Sequence, residues 1–399
     1  MLENQLIVTV ILALGVALLI SFLASPVVKA FAYKVGAIDV PKDNRRMHKV
    51  PIPRLGGLAI FIGFIVSILL FTEITRQMQG ILLGAVIIVV LGVVDDITPL
   101  PAKFKFVVQI VAALIPVFHG VVIQAVSNPN LLSDNAYWQM GGLSIPITVL
   151  WIVAITNSVN LIDGLDGLAI GVSAISATTV LVIAMLVSEG QVAIVMAALV
   201  GACVGFMPYN LNPAKMFMGD TGATFLGYIL ATMSIQGLFK FYAIISFAVP
   251  FLILGLPIFD TAFAFIRRIA HGQSPMQADR SHVHHRLIDM GLNQKQAVAT
   301  LYVISAILGM SAVVLTTSGE IKAMLFLLAL CACGLVAARV VFPKELREEL
   351  HGEMEELREH GHREAPETAE SEVHTEGEVP AESEVPTEGE KVTEKKEND

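Results

Sequence analysis

Two adjacent carboxylates, Asp95 and Asp96, end an apolar stretch in the segment GVVDDITPLPAKFKF at 92–106. Two prolines interrupt the chain after them, and Lys105 opens the next apolar stretch. Adjacent carboxylates at a membrane edge repel each other unless a cation or a proton lies between them. The pair indicates a cation or phosphate site, although a solvated helix end with flanking lysines fits the same residues.

The segment NSVNLIDGLDGLA at 157–169 is rich in amides, carboxylates and glycines. One helical turn would place Asn160 and Asp163 on the same face. Gly164 and Gly167 would let the backbone approach a ligand closely, beside Asp166. A polar turn between two helices is the alternative, but a plain turn does not need this concentration of polar groups. The segment therefore favours a binding or catalytic role.

A third segment, NPAKMFMGDTGATFLGY at 212–228, places Asp220 and Thr221 at the start of an apolar stretch. A carboxylate and exposed amides at a helix start can hold a metal-bound phosphate. Asp and Thr are also good N-caps, and both interpretations can hold together. Phe217 could stack on a base or face lipid, and by itself it does not discriminate.

Three histidines and two arginines lie close together in DRSHVHHRL at 279–287, namely Arg280, His282, His284, His285 and Arg286. Three histidines in four positions suggest a zinc site, but no cysteine or further histidine lies nearby. With the arginines alongside, recognition of an anionic phosphate fits better. An earlier basic cluster in NRRMHKVPIPRLGG at 44–57 is of a kind that most often sets membrane topology, and phosphate binding by Lys49 is the second interpretation.

These motifs belong to a chain of 399 residues that is 55% hydrophobic and 15% charged. Soluble proteins carry roughly 25% charged residues, so the composition excludes a soluble enzyme and a disordered chain. Three cysteines in apolar runs give no disulfide framework. The fold class is therefore an all-α integral membrane protein with about 11 transmembrane helices, near 5–27, 55–72, 80–94, 105–125, 146–160, 167–187, 191–208, 221–237, 241–264, 297–316 and 322–342.

The distribution of basic residues predicts the orientation of these helices. Lys29 and Lys34 follow the first stretch and should hold that end in the cytoplasm, which puts the N-terminus outside. Alternation from there places 16 of the 19 basic residues of 1–343 on the cytoplasmic side. Ten acidic residues fall on the same side, and all ten are aspartates. Short carboxylates gathered on one membrane face suggest a cation or phosphate site there.

The C-terminal part of the chain differs from the rest in charge. Residues 344–399 have a net charge of −13, whereas residues 1–343 have +4. The tail is rich in Glu, Pro, Thr and Ser and has too few apolar residues for a core. We therefore expect a polytopic membrane domain at 1–343 and an acidic, largely disordered cytoplasmic tail at 344–399.

Taken together, the motifs predict a divalent metal and a soluble diphosphate substrate beside a lipid-embedded acceptor. The ordered set VVDDITPLPAKFKFVVQ, NSVNLIDGLDGLA, FMGDTGATFLGY and DRSHVHHRL, with PIPRLGG before it, resembles polyprenyl-phosphate N-acetylhexosamine-1-phosphate transferases of glycosyltransferase 4 type. The resemblance spans residues 49–287. It implies transfer of a sugar 1-phosphate from a UDP-sugar to undecaprenyl phosphate at the cytoplasmic face of a bacterial inner membrane, with release of UMP and with Mg²⁺ or Mn²⁺.

By motif position, the resemblance implies that Asp220 is the metal ligand and that Asp95 engages or deprotonates the lipid phosphate. Asp96 would support the metal and phosphate geometry, and Lys105 would contact phosphate. The implied catalytic residues are Asp95, Asp96, Lys105, Asp163, His284 and His285. The implied substrate-binding residues are Lys49, Asn160, Leu165, Asp166, Phe217, Arg280, His282 and Arg286.

Two departures favour the branch that uses UDP-N-acetylglucosamine and starts teichoic acid linkage units, O-antigen or similar glycans. HVHHRL stands where the muramoyl-pentapeptide branch has three histidines before Phe-Glu, and PIPRLGG stands where it has Thr-Pro-Thr-Met-Gly-Gly. The alternatives are that muramoyl-pentapeptide transferase, a proton- or ion-coupled transporter, and a scaffold acting through its tail. Direct attack by the lipid phosphate is favoured over a covalent aspartyl-phosphate, no nucleic acid partner is expected, and a homodimer is left open.

Overall fold

The structure, a computed structural model, describes residues 2–41, 50–127, 137–239, 248–270 and 282–318, with residues 322, 325, 326 and 328. Lys49, Arg280 and the predicted tail at 344–399 lie outside these residues. The helices of the described part are α1 (Leu2–Val35), α2 (Gly56–Phe71), α3 (Arg76–Ile97), α4 (Ala102–Phe118), α5 (Ser144–Leu161), α6 (Leu168–Leu186), α7 (Gly190–Asn210), α8 (Gly219–Ser234), α9 (Ala248–Ile253), α10 (Gly255–Ala270), α11 (Val283–Asp289) and α12 (Gln294–Ser318).

The helices confirm an all-α membrane protein in outline. Six stretches of the described chain are helical, long and apolar enough to cross a membrane, and Gly56–Phe71 is a shorter apolar helix. Those six are Asn4–Val35, Arg76–Ile97, Gly141–Leu161, Leu168–Leu186, Gly190–Asn210 and Gln294–Ser318. The predicted span at 241–264 coincides in its described part with two helices, α9 and α10. The last predicted span, 322–342, lies almost wholly outside the described residues.

Two short antiparallel ribbons, which the sequence did not suggest, accompany the helices. Strand β1 (Ile38–Asp39) pairs with β2 (Ile52–Pro53), and β3 (Ala125–Ser127) pairs with β4 (Tyr137–Gln139). Just after β2, the amide of Gly56 donates to the carbonyl of Phe217 at 2.9 Å. The amide of Phe217 in turn donates to Pro53 O at 2.8 Å. The ribbon therefore holds the start of α2 against the loop that leads into α8.

Close helix packing at small residues builds the bundle. A Cβ on Gly201 or Gly205 of α7 would overlap backbone carbonyls of α1, so the two helices approach at these positions. Ser21 of α1 adds a hydrogen bond from its hydroxyl to Ala202 O at 2.8 Å. Small residues and interhelical hydroxyl bonds are how membrane helices associate without a hydrophobic driving force between them.

The same device brings two of the sequence motifs together. A Cβ on Gly92 of α3 would overlap the backbone of Thr221, so α3 and α8 touch where their polar ends begin. Further along, Gly84 makes room for Tyr228, whose hydroxyl donates to Ile81 O at 3.2 Å. As a result, Asp95 and Asp96 at the end of α3 lie beside the start of α8.

Candidate active site

The two carboxylates at the end of α3 have different surroundings although they are neighbours in sequence. Asp95 accepts a hydrogen bond from the amide of Leu100 at 2.7 Å, which closes the turn after the helix. Its other oxygen accepts from Lys105 Nζ at 3.0 Å. Asp95 is thus held between a backbone turn and a lysine at the edge of a cleft.

Asp96 is buried and engaged on both oxygens by protein donors. Its Oδ1 accepts from Arg54 Nε at 3.1 Å and from the amide of Asp220 at 3.0 Å. Its Oδ2 accepts from the Thr221 amide at 3.1 Å and from the Thr221 hydroxyl at 2.6 Å. Gly219 has φ +70 just before this helix start, and a Cβ there would meet Arg54 O and Asp96. Asp96 therefore anchors the first turn of α8, which carries Asp220.

Lys105 joins the first and third sequence motifs. Its Nζ lies 3.0 Å from Asp95 Oδ2 and 2.8 Å from Asp220 Oδ2. A single ammonium group thus bridges two carboxylates that are 125 residues apart in the chain, and it compensates part of their charge. The side chains of Lys105 and Asp220 are partly accessible, whereas that of Asp95 is buried.

The turn between α5 and α6 places Asp163 and Asp166 in the same cleft as Asp220. Asp166 Oδ2 accepts from Asn212 Nδ2 and from the amide of Ala214, both at 3.0 Å, which ties this turn to the loop before α8. Burial, together with the charges of Asp220 and other nearby aspartates, raises the pKa of Asp163 to about 8. This side of the cleft therefore concentrates carboxylates.

The histidine segment closes the cleft. His284 is buried against Gly164, where a Cβ would overlap its ring. Burial and the nearby His285 lower the pKa of His284 to about 4, so this ring is neutral near pH 7. His282 is also buried, and its Nδ1 lies 2.8 Å from Asp260 Oδ2 on α10.

The cleft has two lobes that meet at Asn160, Gly164, Asp220 and His285. We name them the donor lobe and the acceptor lobe after the two substrates that the resemblance implies. The donor lobe, of about 590 Å³, is lined mainly by polar loop residues, including Arg54, Asp96, Asn160, Asp163, Leu165, Asp166, Asn212, Phe217, Asp220, His285 and Gln294. The acceptor lobe, of about 530 Å³, is lined mainly by helix ends, including Leu91, Asp95, Lys105, Phe106, Gln109, Asn157, Leu161, Arg268, His282 and His284.

The structure thus brings together all but one of the predicted site residues that it describes. The exception is Arg286, whose guanidinium lies 5.2 Å from the ring centre of Phe263 and which lines neither lobe. The predictions for Lys49 and Arg280 lie outside the described residues.

Sequence reasoning left out several residues that line or support the cleft. Arg54 lies in the basic cluster at 44–57 and Asp260 is one of the ten aspartates expected on the cytoplasmic side, but neither is predicted as a site residue. An acid within the apolar run GLPIFDTAFAF is costly to bury, and that was the available signal for Asp260. Gln109, Asn212 and Gln294 carried no signal, because single amides are common in loops and helices.

The carboxylate oxygens in the cleft are suitable ligands for a hard divalent cation. Asp220 and Asp163 present carboxylates to the donor lobe, where burial and then the charges of Asp220 and other nearby aspartates raise the pKa of Asp163. Mg²⁺ usually takes only one or two protein carboxylates, and substrate phosphates and water complete its shell. In the described part of the chain, no three His, Cys, Asp or Glu side chains form a group that could hold a metal ion.

Comparison with known proteins gives consistent matches. Residues 78–238 match the model of "Glycosyl transferase family 4". A Bacillus subtilis protein named "Probable undecaprenyl-phosphate N-acetylglucosaminyl 1-phosphate transferase" is 44% identical over 80% of this chain and 88% of its own length. The "Decaprenyl-phosphate N-acetylglucosaminephosphotransferase" of Mycolicibacterium smegmatis is 32% identical over 72% and 77%. A "Phospho-N-acetylmuramoyl-pentapeptide-transferase" of Desulforudis audaxviator is 29% identical over 75% and 96%.

Proposed function

Because the chain belongs to glycosyl transferase family 4, we propose that it transfers N-acetylglucosamine 1-phosphate from UDP-N-acetylglucosamine to undecaprenyl phosphate and releases UMP. The observation that carries the proposal is the two-lobed cleft, in which the donor lobe and the acceptor lobe meet at Asp220 and Asn160. The names of the relatives supply the identity of the sugar and of the lipid. This reaction would be the first lipid-linked step of a cell-envelope glycan.

The donor lobe suits a nucleotide sugar that arrives from water. Phe217 offers a ring that can stack on uracil, and Leu165 and Asp166 lie in the same lobe. Asp166 is fixed by Asn212 and by the Ala214 amide, so the lobe is held in shape before the substrate binds. Lys49, from the segment that follows β1, is assigned to the same lobe by the resemblance alone.

The acceptor lobe suits a phosphate carried by a polyprenyl chain. Lys105 and Arg268 supply positive charge, and Phe106 and Leu161 supply apolar walls. Phe106 and Leu161 are 45% exposed in the isolated chain, as expected for side chains that face lipid. The phosphate would therefore enter from the bilayer side and meet the donor at Asp220.

The reaction is a phosphoryl transfer, for which positioning and charge compensation matter most. A non-bridging oxygen of the lipid phosphate attacks the β-phosphorus of the donor. The bond from that phosphorus to the bridging oxygen breaks, and UMP leaves with the electron pair. Lys105, held by Asp95 and Asp220, lies where it can compensate charge that develops in transfer.

A divalent cation, Mg²⁺ or Mn²⁺, would be held by Asp220 together with the substrate phosphates. When bound, it would polarise the transferred phosphoryl group and offset charge on UMP. Asp163 would lie beside it in the donor lobe. Asp96 would act through the first turn of α8, because its oxygens are occupied by Arg54, Asp220 and Thr221.

We also propose the membrane arrangement expected from the basic residues. The chain would cross the bacterial inner membrane about 11 times with the N-terminus outside, and the cleft would face the cytoplasm. The cleft lies at the ends of α3 and α5, both of which are candidate spans. Cysteine labelling at Ser188, between α6 and α7, against labelling at Asn212 in the cleft, tests the orientation. Reaction of Ser188→Cys from outside and of Asn212→Cys from inside only would support it, and the reverse pattern would refute it.

A membrane assay tests the reaction itself. Membranes that contain the full chain are given radiolabelled UDP-N-acetylglucosamine and undecaprenyl phosphate, and label that enters the lipid phase is counted. We expect transfer by the wild-type chain, loss with EDTA, and losses of about 10²-fold or more in Asp220→Ala and Asp95→Asn. The matched control is Asp289→Asn, which changes an exposed carboxylate at the end of α11.

Three outcomes would contradict parts of the proposal. Transfer only from UDP-N-acetylmuramoyl-pentapeptide would assign the chain to the muramoyl branch. Undiminished transfer by Asp220→Ala would remove Asp220 as the metal ligand. Phosphorylated Asp95 or Asp96 isolated after reaction with the donor alone would replace direct attack by a covalent route.

A further inference from the structure

Asp260 is a buried acid on α10 whose two oxygens are both engaged by the histidine segment. Its Oδ2 lies 2.8 Å from His282 Nδ1, and its Oδ1 accepts from the amide of Val283 at 2.7 Å. Asp260 and His282 are 4% and 6% exposed. Burying a carboxylate in an apolar helix costs free energy unless its hydrogen-bond partners are well placed. Such a residue is therefore a candidate for a functional role.

The ring of His282 lines the acceptor lobe together with Lys105 and Arg268. It stacks nearly parallel on His284, with ring centres 5.7 Å apart and planes 7° apart. Since Nδ1 is engaged with Asp260, Nε2 is the ring nitrogen that remains for a ligand in the lobe. The stacking and the carboxylate together restrict rotation of the ring.

We propose that Asp260 is a positioning residue that orients His282 so that Nε2 faces the acceptor phosphate. The identity of that phosphate as undecaprenyl phosphate rests on the function proposed above. Because an ionised carboxylate only accepts hydrogen bonds, Nδ1 of His282 donates to Asp260 and the ring presents Nε2 to the lobe.

The neighbouring histidine cannot do the same work. His284 is buried against Gly164, and its pKa is lowered to about 4, so it stays neutral near pH 7. No carboxylate contacts His284 among the hydrogen bonds and ion pairs of the described residues. The two stacked rings therefore differ in role, and Asp260 is what distinguishes them.

Substitutions at His282 separate orientation of a ligand from simple anchoring of α11. His282→Asn keeps a donor near the position of Nδ1, so it can still bond Asp260, but it lacks Nε2. His282→Gln keeps an amide group near the position of Nε2 and loses the bond to Asp260. We expect His282→Asn to lower kcat/KM for undecaprenyl phosphate about 10- to 100-fold relative to wild type. His282→Gln should be several-fold more active than His282→Asn.

Asp260→Asn tests the carboxylate directly. Its amide oxygen can still accept from the Val283 amide, while its NH₂ group faces His282 Nδ1, so Nδ1 must accept and the two ring nitrogens exchange their donor and acceptor roles. We expect a 10- to 100-fold loss in kcat/KM for the lipid phosphate, with KM for UDP-N-acetylglucosamine unchanged within twofold. The double variant Asp260→Asn/His282→Asn should lose no more than the worse single variant, because both changes act on one group.

The controls separate this proposal from a folding defect and from failure of the proposed reaction. Each variant is purified as the full chain in lipid nanodiscs, and its thermal midpoint is compared with that of Asp289→Asn. Binding of undecaprenyl phosphate and of undecaprenol is measured without any donor. We expect the wild-type chain to prefer the phosphate and Asp260→Asn and His282→Asn to lose most of that preference.

Four results decide the matter. If His282→Asn is as active as wild type while His282→Gln is inactive, the pair only anchors α11 and the proposal is wrong. Losses that multiply in the double variant, or an equal rise in both KM values, would also overturn it. If the wild-type chain transfers no sugar but its preference for the phosphate depends on Asp260, the proposed reaction fails and the positioning role stands.

Discussion

The two lobes of the cleft bind anionic substrates in our proposal, yet their charges differ, because carboxylates outnumber cations in one lobe and equal them in the other. Among the described residues, the donor lobe is lined by five carboxylates, one arginine and one imidazole. The acceptor lobe is lined by two carboxylates, one lysine, one arginine and three imidazoles. A diphosphate in the first lobe needs a cation from solution, whereas a monoester in the second meets cations of the protein. Metal dependence should therefore reside on the donor side and dependence on basic side chains on the acceptor side.

Lys105 is the cation that links the lobes, and its removal should have the largest effect. Lys105→Met leaves Asp95 and Asp220 facing each other without the ammonium that bridges them at 3.0 and 2.8 Å. We expect kcat to fall about 10³-fold, as for loss of a preorganised charge in a transfer site. Initial rates in nanodiscs measure it, and Lys105→Arg should recover part of the loss.

The matched control for that experiment is Lys103→Met, which removes an exposed lysine from the same end of α4. Its rate should stay within about twofold of wild type, since exposed charges contribute little. Equal losses in both variants would mean that Lys105 acts only through the overall charge of this membrane face, and the contrast between the lobes would lose its central residue.

Asp95 and Asp96 sharpen the contrast, because each lines one lobe. Asp96→Asn puts an NH₂ group against the donors of Arg54, Asp220 or Thr221, so we expect a loss of about 1–3 kcal/mol in the free energy of unfolding. Asp95→Asn keeps an acceptor for the Leu100 amide and should retain stability while it loses activity. Thermal unfolding and initial rates measured on the same samples separate the two effects.

That division would be reversed if Asp95→Asn unfolded early while Asp96→Asn kept the wild-type midpoint. Such a result would mean that Asp96 is free to act on substrate, and that the turn after α3 depends on the Asp95 charge. Arg54→Lys provides an independent test, because it keeps the charge and loses the geometry of the guanidinium. It should lower the midpoint by less than Asp96→Asn does.

Asp166 belongs to the donor lobe alone and should affect one substrate. In Asp166→Asn, the atom at the position of Oδ2 is either a neutral amide oxygen, which accepts more weakly from Asn212 and Ala214, or an NH₂ group, which cannot accept from them. We expect KM for UDP-N-acetylglucosamine to rise about tenfold, near the cost of a lost charged hydrogen bond, with KM for undecaprenyl phosphate unchanged. Lys295→Ala, an exposed change at the start of α12, is the control. A rise in both KM values would show that the lobes are not independent.

The sequence was sufficient for the types of residue in the cleft but not for their division of labour. The Asp-Asp pair, the Gly-Asp-Thr-Gly segment and the histidine run could be predicted to converge, because metal and phosphate chemistry needs those side chains. The contrast between Asp95 and Asp96 could not, since it depends on Arg54, 42 residues before Asp96, and on Thr221, 125 residues after it.

The apolar helices could be predicted from the sequence, whereas the short β-ribbons could not. Apolar runs such as 5–27 and 167–187 coincide with α1 and α6, because length and hydropathy alone specify a span. The ribbon of β1 and β2 was missed because two residues per strand give no alternating pattern to detect. Its effect on the site comes from backbone bonds between Pro53, Gly56 and Phe217, which no side-chain pattern encodes.

The last predicted effect concerns His284, the buried ring of the acceptor lobe, and it is measured as stability against pH. Its pKa falls from 6.5 to about 4 on folding, so the unfolded chain binds a proton between these values and the folded chain does not. Stability that is fully present above pH 6.5 is therefore lost as the pH falls towards 4, by up to about 3 kcal/mol. His284→Gln cannot bind that proton, so its thermal midpoint should fall less between pH 7 and pH 5 than that of wild type. Parallel falls would show that His284 is protonated in the folded chain, and the acceptor lobe would then carry more positive charge than its contrast with the donor lobe assumes.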